Sequence, residues 1–243
     1  MFCELRHRML ASMSETKWGD LAVSELPTGT VTLLLADVEG STRLWETQPD
    51  DMAVAMARLD QVLTDLIAAH DGARPVEQGE GDSFVIAFAR ASDAVGCALD
   101  LQRAALAPIR LRIGIHTGEV RLRDPKDRTN YIGPTINRTA RLRDLAHGGQ
   151  TVLSGATELI VVDQLPSDVS LADLGSHPLR DLPRPERVIQ LCHPRMPRRS
   201  GPRRRHSASR PPFRRGRGVP AAQGDRAVQG PSSQLRLRGC SAA

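Results

Sequence analysis

Two carboxylates, one amide and one guanidinium occupy positions from which they could act on a phosphate ester. Asp37 directly follows the apolar run 31–36, and Asp82 stands just before a second apolar run. If the two strands are neighbours, the carboxylates converge, and then they need cations between them or one must take up a proton. With oxygen ligands only, Mg²⁺ or Mn²⁺ is the expected cation. Asn137 and Arg141 are four residues apart and share one face of a predicted helix. Two metal ions clamp the oxygens of a phosphoryl transfer, and an arginine stabilises its transition-state charge.

The turn after Asp37 favours an anion. Glu39-Gly40-Ser41-Thr42 separates the apolar run from a helical pattern. A glycine lets the backbone bend with its N–H groups pointing inward, where they can bind phosphate. Taken alone, an ordinary strand–turn–helix explains this stretch at least as well, so the interpretation depends on the other segments.

Hydrophobic periodicity predicts the elements that must position these residues. Strands are predicted over 30–36, 74–78, 83–89, 109–120 and 151–153, with a terminal pair in 169–192 that turns at Gly175 and at 183–185. Helices are predicted over 42–70 with a fresh start at Pro49, over 91–106, over 133–145, and as a short helix capped by Ser154. A hairpin tip at 78–82 and a polar loop at 121–130 connect them. The order predicts an α/β layer fold with one hairpin in its sheet.

Composition bounds the class of protein. The chain has 243 residues, enough for one ordinary domain plus extensions. Its apolar runs are too short for a membrane span or a secretory signal, which predicts a cytoplasmic protein that does not bind membranes. The scattered Cys3, Cys97, Cys192 and Cys240 lack metal-ligand spacing and predict free thiols.

The charge is unevenly distributed. Residues 195–243 hold 13 arginines and one aspartate, a net charge of +12, whereas residues 1–194 carry a net charge of −7. We predict a poorly ordered lead-in over 1–27, with Met13 as an alternative start, a folded domain over 28–193, and a disordered Arg/Pro/Gly-rich tail over 194–243. The tail has a single aromatic residue, so nucleic-acid binding is not expected; a spacer or a shifted reading frame explains it better.

Four segments together resemble the class III nucleotidyl cyclase catalytic domain, the family of adenylate and guanylate cyclases. They occur in the family's order and spacing across residues 28–193, and they read Ala36-Asp37-Val38-Glu39-Gly40-Ser41-Thr42, Gly81-Asp82-Ser83-Phe84, Arg112-Ile113-Gly114-Ile115-His116-Thr117-Gly118-Glu119-Val120 and Tyr131-Ile132-Gly133-Pro134-Thr135-Ile136-Asn137-Arg138-Thr139-Ala140-Arg141. The resemblance implies a ferredoxin-like mixed sheet with a β-hairpin and helices packed on it. It also implies conversion of a nucleoside triphosphate to a 3′,5′-cyclic nucleotide and pyrophosphate in a homodimer.

The resemblance also implies a role for each matching residue. Asp37, Asp82 and the Val38 carbonyl match ligands of two divalent cations, Mg²⁺ or Mn²⁺. The turn Glu39, Gly40, Ser41 and Thr42 matches the triphosphate-binding turn. Asn137 matches the residue that orients the ribose, and Arg141 matches the one that stabilises the transition state.

The positions that match base recognition depart from the family's adenylate-selective pattern. They hold Gln78 and Asn130 instead of a lysine and an aspartate. An amide carries both donors and an acceptor, so this pair can satisfy adenine or guanine. ATP is the expected main substrate, with GTP possible.

The sequence leaves two other functions open. A catalytically weak, cyclase-like module that binds nucleotide and regulates a partner would explain the amide pair, although it need not keep Asp37, Asp82, Asn137 and Arg141 together. A nucleic-acid-binding protein would act through its basic tail. His116, within the fourth predicted strand, is interpreted as a packed histidine and not as a base.

Overall fold

The structure is a computed structural model that describes residues 26–75, 81–123, 130–194 and 196. Its strands are β1 Thr30–Val38, β2 Gly72–Ala73, β3 Ser83–Phe88, β4 Leu111–Glu119, β5 Arg121–Leu122, β6 Tyr131–Ile132, β7 Gln150–Ser154, β8 Ser170–His177 and β9 Glu186–Cys192. Its α-helices are α1 Ser41–Thr47, α2 Pro49–Ala69, α3 Ala91–Arg103, α4 Pro134–Leu145 and α5 Gly155–Val161, and a 3₁₀ turn follows over Val162–Gln164.

Strand β1 lies inside the main sheet and carries the first candidate residue at its end. The seven strands run in the order β2-β3-β1-β4-β7-β9-β8, and β5 and β6 form a separate hairpin. β1 pairs antiparallel with β3 and β4, whereas β4 and β7 are parallel. This mixed sheet with helices packed on it confirms the predicted fold class.

Both faces of β1 are buried, and each packs on a different core. Leu34 and Ala36 face the core formed with α2 and α3, whereas Leu33 and Leu35 face the other side. Successive side chains of a strand alternate between faces, so a continuous apolar run requires cover on both. Asp37 follows the same alternation and falls on the side of Leu33 and Leu35.

Helix α4 approaches the sheet closely because β4 has a glycine beneath it. A Cβ atom added to Gly114 would lie 2.8 Å from the Thr139 carbonyl oxygen and would collide with the backbone nitrogen of Arg143. The buried residues Thr135, Thr139 and Leu142 form the sheet-facing side of the helix. The contact therefore fixes where the α4 side chains meet the ends of β1 and β4.

Most predicted elements are present, and the differences are local. The strand predicted over 74–78 occurs as β2 at Gly72–Ala73, and residues 76–80 lie outside the described ranges. Gly175 does not form a turn; it lies within β8 at positive φ, beside a register shift between Asp173 and Ser176. Helix α3 ends at Arg103, before the expected 106. Strand β5 occupies the first two residues of the predicted loop 121–130, and β6 directly follows that loop.

Packing extends slightly beyond the proposed domain at both ends. Leu26 is buried, and the Tyr131 hydroxyl donates to the Pro27 carbonyl oxygen at 2.8 Å. Met196 is 7% exposed and belongs to the core beneath α2 and α3. Within the described residues, no helix is long and apolar enough to cross a bilayer.

We expect a chain that ends at Ser200 to melt like the full chain, because the composition of 201–243 cannot bury a core. A chain that ends at His193 also loses the buried Met196 and should lose about 1–3 kcal/mol of unfolding free energy. Urea unfolding of both chains, with Met196→Ala in the longer one as the matched control, measures this. Clear destabilisation of the Ser200 chain would contradict the proposed boundary.

Candidate active site

Asp37 and Asp82 stand at the same end of neighbouring strands. Asp37 lies opposite Ser83 in the β1–β3 register, and the Val38 N–H donates to the Asp82 carbonyl oxygen at 3.2 Å. Gly81, at positive φ, directly precedes Asp82. The strand adjacency that the convergence of the two carboxylates requires is therefore present.

The Asp37 carboxylate is buried between two guanidiniums. It is 8% exposed. Arg112, directly across the β1–β4 pair, donates from Nε to Oδ1 at 2.7 Å and from Nη2 to Oδ2. Arg143 of α4 places Nη1 at 3.2 Å from Oδ2 and pairs its Nη2 with Asp144 Oδ1, also at 3.2 Å. A buried carboxylate needs such compensation.

The carboxylates around Arg112 raise its pKa. Burial alone lowers it, but the hydrogen bond to Asp37 and the carboxylates of Asp37, Asp144 and Glu39 together raise it above its usual value. Arg112 therefore remains charged and fixes the Asp37 carboxylate at the strand end.

The turn after β1 is held through its backbone and ends in a left-handed glycine. The Glu39 N–H donates to the Arg110 carbonyl oxygen at 3.0 Å, and the Glu39 side chain packs against Gly148. Gly40 adopts a left-handed conformation (φ 68°) and is the N-cap of α1, with no side-chain cap among the described residues. Ser41 and Thr42, the first residues of α1, thus leave their N–H groups available to an anion.

Asn137 and Arg141 lie on α4 but do not reach the carboxylates of their own chain. Asn137 is exposed. Arg141 donates from Nε to the Arg180 carbonyl oxygen at 3.2 Å and lies 3.3 Å from Asp181 Oδ2, in the β8–β9 connection. Among the described residues, neither makes a hydrogen bond or ion pair with Asp37 or Asp82.

The two predicted base-recognition positions are treated differently by the structure. Asn130 is buried (5% exposed) immediately before β6, and its backbone carbonyl oxygen accepts from the backbone N–H of Arg123 at 2.8 Å. Gln78 lies outside the described residues.

The donor set fits a hard divalent cation that completes its coordination with other ligands. Asp37, Asp82 and the Val38 carbonyl supply oxygen only, as Mg²⁺ and Mn²⁺ require. In the described part of the chain, no three His, Cys, Asp or Glu side chains form a cluster. A cation at this strand end would thus depend on substrate oxygens or water, and Mg²⁺ commonly does so.

Arg112 and Arg143 were not among the residues predicted for the site. Arg112 interrupts an apolar strand, and Arg143 lies four residues after the buried Thr139, on the sheet-facing side of α4. A charged residue in a buried stripe predicts a buried partner. This pattern could have indicated an acidic neighbour at the end of β1.

His116 is a packed residue, as predicted. It is buried, and its Nδ1 lies 2.7 Å from the Ser154 hydroxyl, which also caps α5. Burial, with a smaller contribution from Arg138, lowers the pKa of His116 to about 4. The ring is neutral at pH 7 and has a structural role.

Residues 23–177 of this chain match the family described as the adenylate and guanylate cyclase catalytic domain. The uncharacterized protein Rv0891c of Mycobacterium tuberculosis is 67% identical over 175 residues, which are 72% of this chain and 60% of that protein. The chain therefore spans about 60% of that relative's length. Another uncharacterized protein of the same organism, Rv1359, is 47% identical and is matched over 81% of this chain and 82% of its own.

Among solved structures, a similar one is described as adenylate cyclases from Trypanosoma brucei in their monomeric state. It superposes with a TM-score of 0.58 at 30% identity, covering 70% of this chain and 92% of that chain.

The buried His116 predicts that the protein loses stability in acid. Its unfolded pKa is 6.5 and its folded pKa is about 4, so below pH 6.5 the unfolded state binds the proton first. The free energy of unfolding should fall by up to about 3 kcal/mol between pH 6.5 and 4 from this group alone. Urea unfolding across this range should show a shallower fall for His116→Asn.

A His177→Asn variant is the control for that experiment, because it removes a histidine from β8 without touching the buried ring. Parallel pH profiles for His116→Asn and the unaltered protein would show that His116 does not titrate as its burial requires.

Proposed function

The chain belongs to the adenylate and guanylate cyclase catalytic domain family, and we propose that it is a nucleotidyl cyclase that works as a homodimer. The observation that supports the proposal is the position of Asp37 and Asp82 at the same end of two adjacent strands, beside the turn that begins helix α1. The reaction joins the 3′-oxygen of a nucleoside triphosphate to its own α-phosphorus. The bond to the β-phosphate breaks, so pyrophosphate leaves, and the hydroxyl proton is released.

The proposed site has two halves, each supplied by one chain. The residues of the first half bind the triphosphate of the substrate. Asp37, Asp82 and the Val38 carbonyl hold two divalent cations, Mg²⁺ or Mn²⁺. When bound, these ions supply the charge that activates the hydroxyl and neutralises the leaving group. The backbone N–H groups of Gly40, Ser41 and Thr42 bind the phosphates.

The other half-site holds the sugar and the transition state. Asn137 orients the ribose through its amide, and Arg141 donates hydrogen bonds to the oxygens of the α-phosphate as charge develops there. Because Arg141 is held by the Arg180 carbonyl oxygen, Asp181 and Asp144, and makes no described contact with Asp37 or Asp82 of its own chain, we assign it to the site of a second copy. Each homodimer then has two composite sites.

The proposed main substrate is ATP, with GTP as a weaker second substrate. The likeness to adenylate cyclases from Trypanosoma brucei at 30% identity supports ATP. Asn130 is buried, as expected of a base-reading residue, and its amide, like that of Gln78, can present a donor or an acceptor.

A second candidate is a catalytically weak, nucleotide-binding regulatory module. The observation that favours it is the double ion pair on Asp37, which occupies the carboxylate that a cation needs. Turnover by the purified protein decides between the two.

Mixing two inactive variants tests the proposed function and its two-chain site together. Asp82→Asn and Arg141→Ala should each lose at least about a hundredfold in cyclic nucleotide formation. An equal mixture should recover about a quarter of the unaltered rate, because half of the dimers are mixed and one of their two sites is intact. Cyclic nucleotide and pyrophosphate are measured with ATP and Mn²⁺.

The matched control mixes Asp82→Asn with Asp37→Asn. Both substitutions fall in the same half-site, so no intact site can form and activity should stay at the level of the single variants. Full activity of Asp37→Asn or Asp82→Asn alone would refute the assignment of these residues as metal ligands. An inactive first mixture, with mixed dimers demonstrated by differently tagged chains, would refute the shared site.

Base choice gives a separate prediction. A lysine–aspartate pair leaves buried groups unpaired against guanine, whereas an amide pair does not. The ATP/GTP ratio of kcat/KM should therefore lie within about a hundredfold, and Gln78→Lys with Asn130→Asp should raise it. Strict ATP selectivity of the unaltered protein, or an unchanged ratio in the double variant, would show that these positions do not read the base.

A further inference from the structure

We propose that Arg143 competes with the divalent cation for the Asp37 carboxylate, so that metal binding requires Arg143 to release it. This inference rests on the proposed function for the identity of the metal site. Its basis is the position of Arg143, the second guanidinium beside Asp37 in the same chain, whose Nη1 lies 3.2 Å from Asp37 Oδ2. It concerns the control of the site and not the reaction itself.

Arg112 is the fixed partner of Asp37. It lies directly opposite Asp37 in the β1–β4 register and makes two hydrogen bonds to the carboxylate, one to each oxygen. A bidentate pair between adjacent strands is strong and well oriented. Because its release would cost two hydrogen bonds, Arg112 is the harder of the two guanidiniums to displace from Asp37.

Arg143 is the exchangeable partner. Its Nη1 lies 3.2 Å from Oδ2 of Asp37, and its other terminal nitrogen, Nη2, already lies 3.2 Å from Asp144 Oδ1. When Arg143 releases Asp37, Asp144 remains to pair its charge, so the guanidinium is not left alone in a buried place. The release is thus less costly than the loss of a sole partner.

The two occupants of Asp37 exclude one another for reasons of charge and space. A cation bound at Oδ2 would stand within a few ångströms of Nη1, and like charges at that separation repel strongly where water is scarce. The side chains of Asp37 and Arg143 are 11% and 18% exposed, so the repulsion is only partly screened. Removing the Arg143 charge should therefore tighten metal binding.

The test is direct Mn²⁺ binding to the full chain without nucleotide, measured by the electron paramagnetic resonance signal of free Mn²⁺. We expect Arg143→Gln and Arg143→Met to lower the Kd at least about tenfold. The second variant keeps the apolar stem in case the first folds poorly. In the same assay, Asp37→Asn should abolish the tight binding of Arg143→Gln when the two are combined.

Arg138→Gln is the matched control. Arg138 lies on the same helix, has a side chain that is 22% exposed, and pairs with Glu186; no ion pair of the described residues joins either of them to Asp37. The Arg138→Gln substitution removes the same charge as Arg143→Gln. It should change the Kd for Mn²⁺ by no more than about twofold, because the Arg138–Glu186 pair is not at the end of β1.

The outcomes separate this inference from the proposed function. If Asp37→Asn abolishes Mn²⁺ binding but the Arg143 variants bind no more tightly than the unaltered protein, Arg143 does not compete, while the metal site stands. If Asp37→Asn leaves binding unchanged, the ion does not bind at Asp37, and both the competition and the metal assignment fail. Equal tightening by Arg138→Gln would reduce the effect to net charge and overturn the inference.

Discussion

The burial of one carboxylate at the end of β1 constrains the arrangement around it. Asp37 lies on the face of the sheet that α4 covers, where an uncompensated negative charge would be costly. Arg112 from the next strand and Arg143 from the helix compensate it. The end of the central strand, the register of β4 and the position of α4 are therefore linked through a single side chain.

This link divides the candidate residues into two groups. Asp37, Asp82 and the following turn depend on the sheet, which is stabilised by its two cores. Asn137 and Arg141 depend on α4, and Arg141 is also tied to the β8–β9 connection. The chain thus carries two chemically distinct groups of candidate residues, one with two carboxylates beside a helix start and one with an amide and a guanidinium.

The sequence was most informative where local pattern and tertiary structure agree. The apolar run before Asp37 predicted β1, and Pro134 to Leu145 were predicted as helix and form one. The neighbouring of β1 and β3, an expectation conditional on topology, is also present. The roles of Asp37, Asp82, Asn137 and Arg141 remain predictions. The partners of Asp37 could not be derived, because pairing across 75 residues of chain depends on the register of β4 and on the closeness of α4.

The glycine beneath α4 has a consequence for how this chain can vary. Gly114 has no side chain to separate helix from strand, so the axis of α4 lies as low on the sheet as backbone contact permits. Any larger residue would lift the helix and displace the amide and both guanidiniums as one rigid unit, without altering their chemistry. A substitution here would thus be felt as misalignment across the whole site, and later changes elsewhere could restore it only by lowering the helix again.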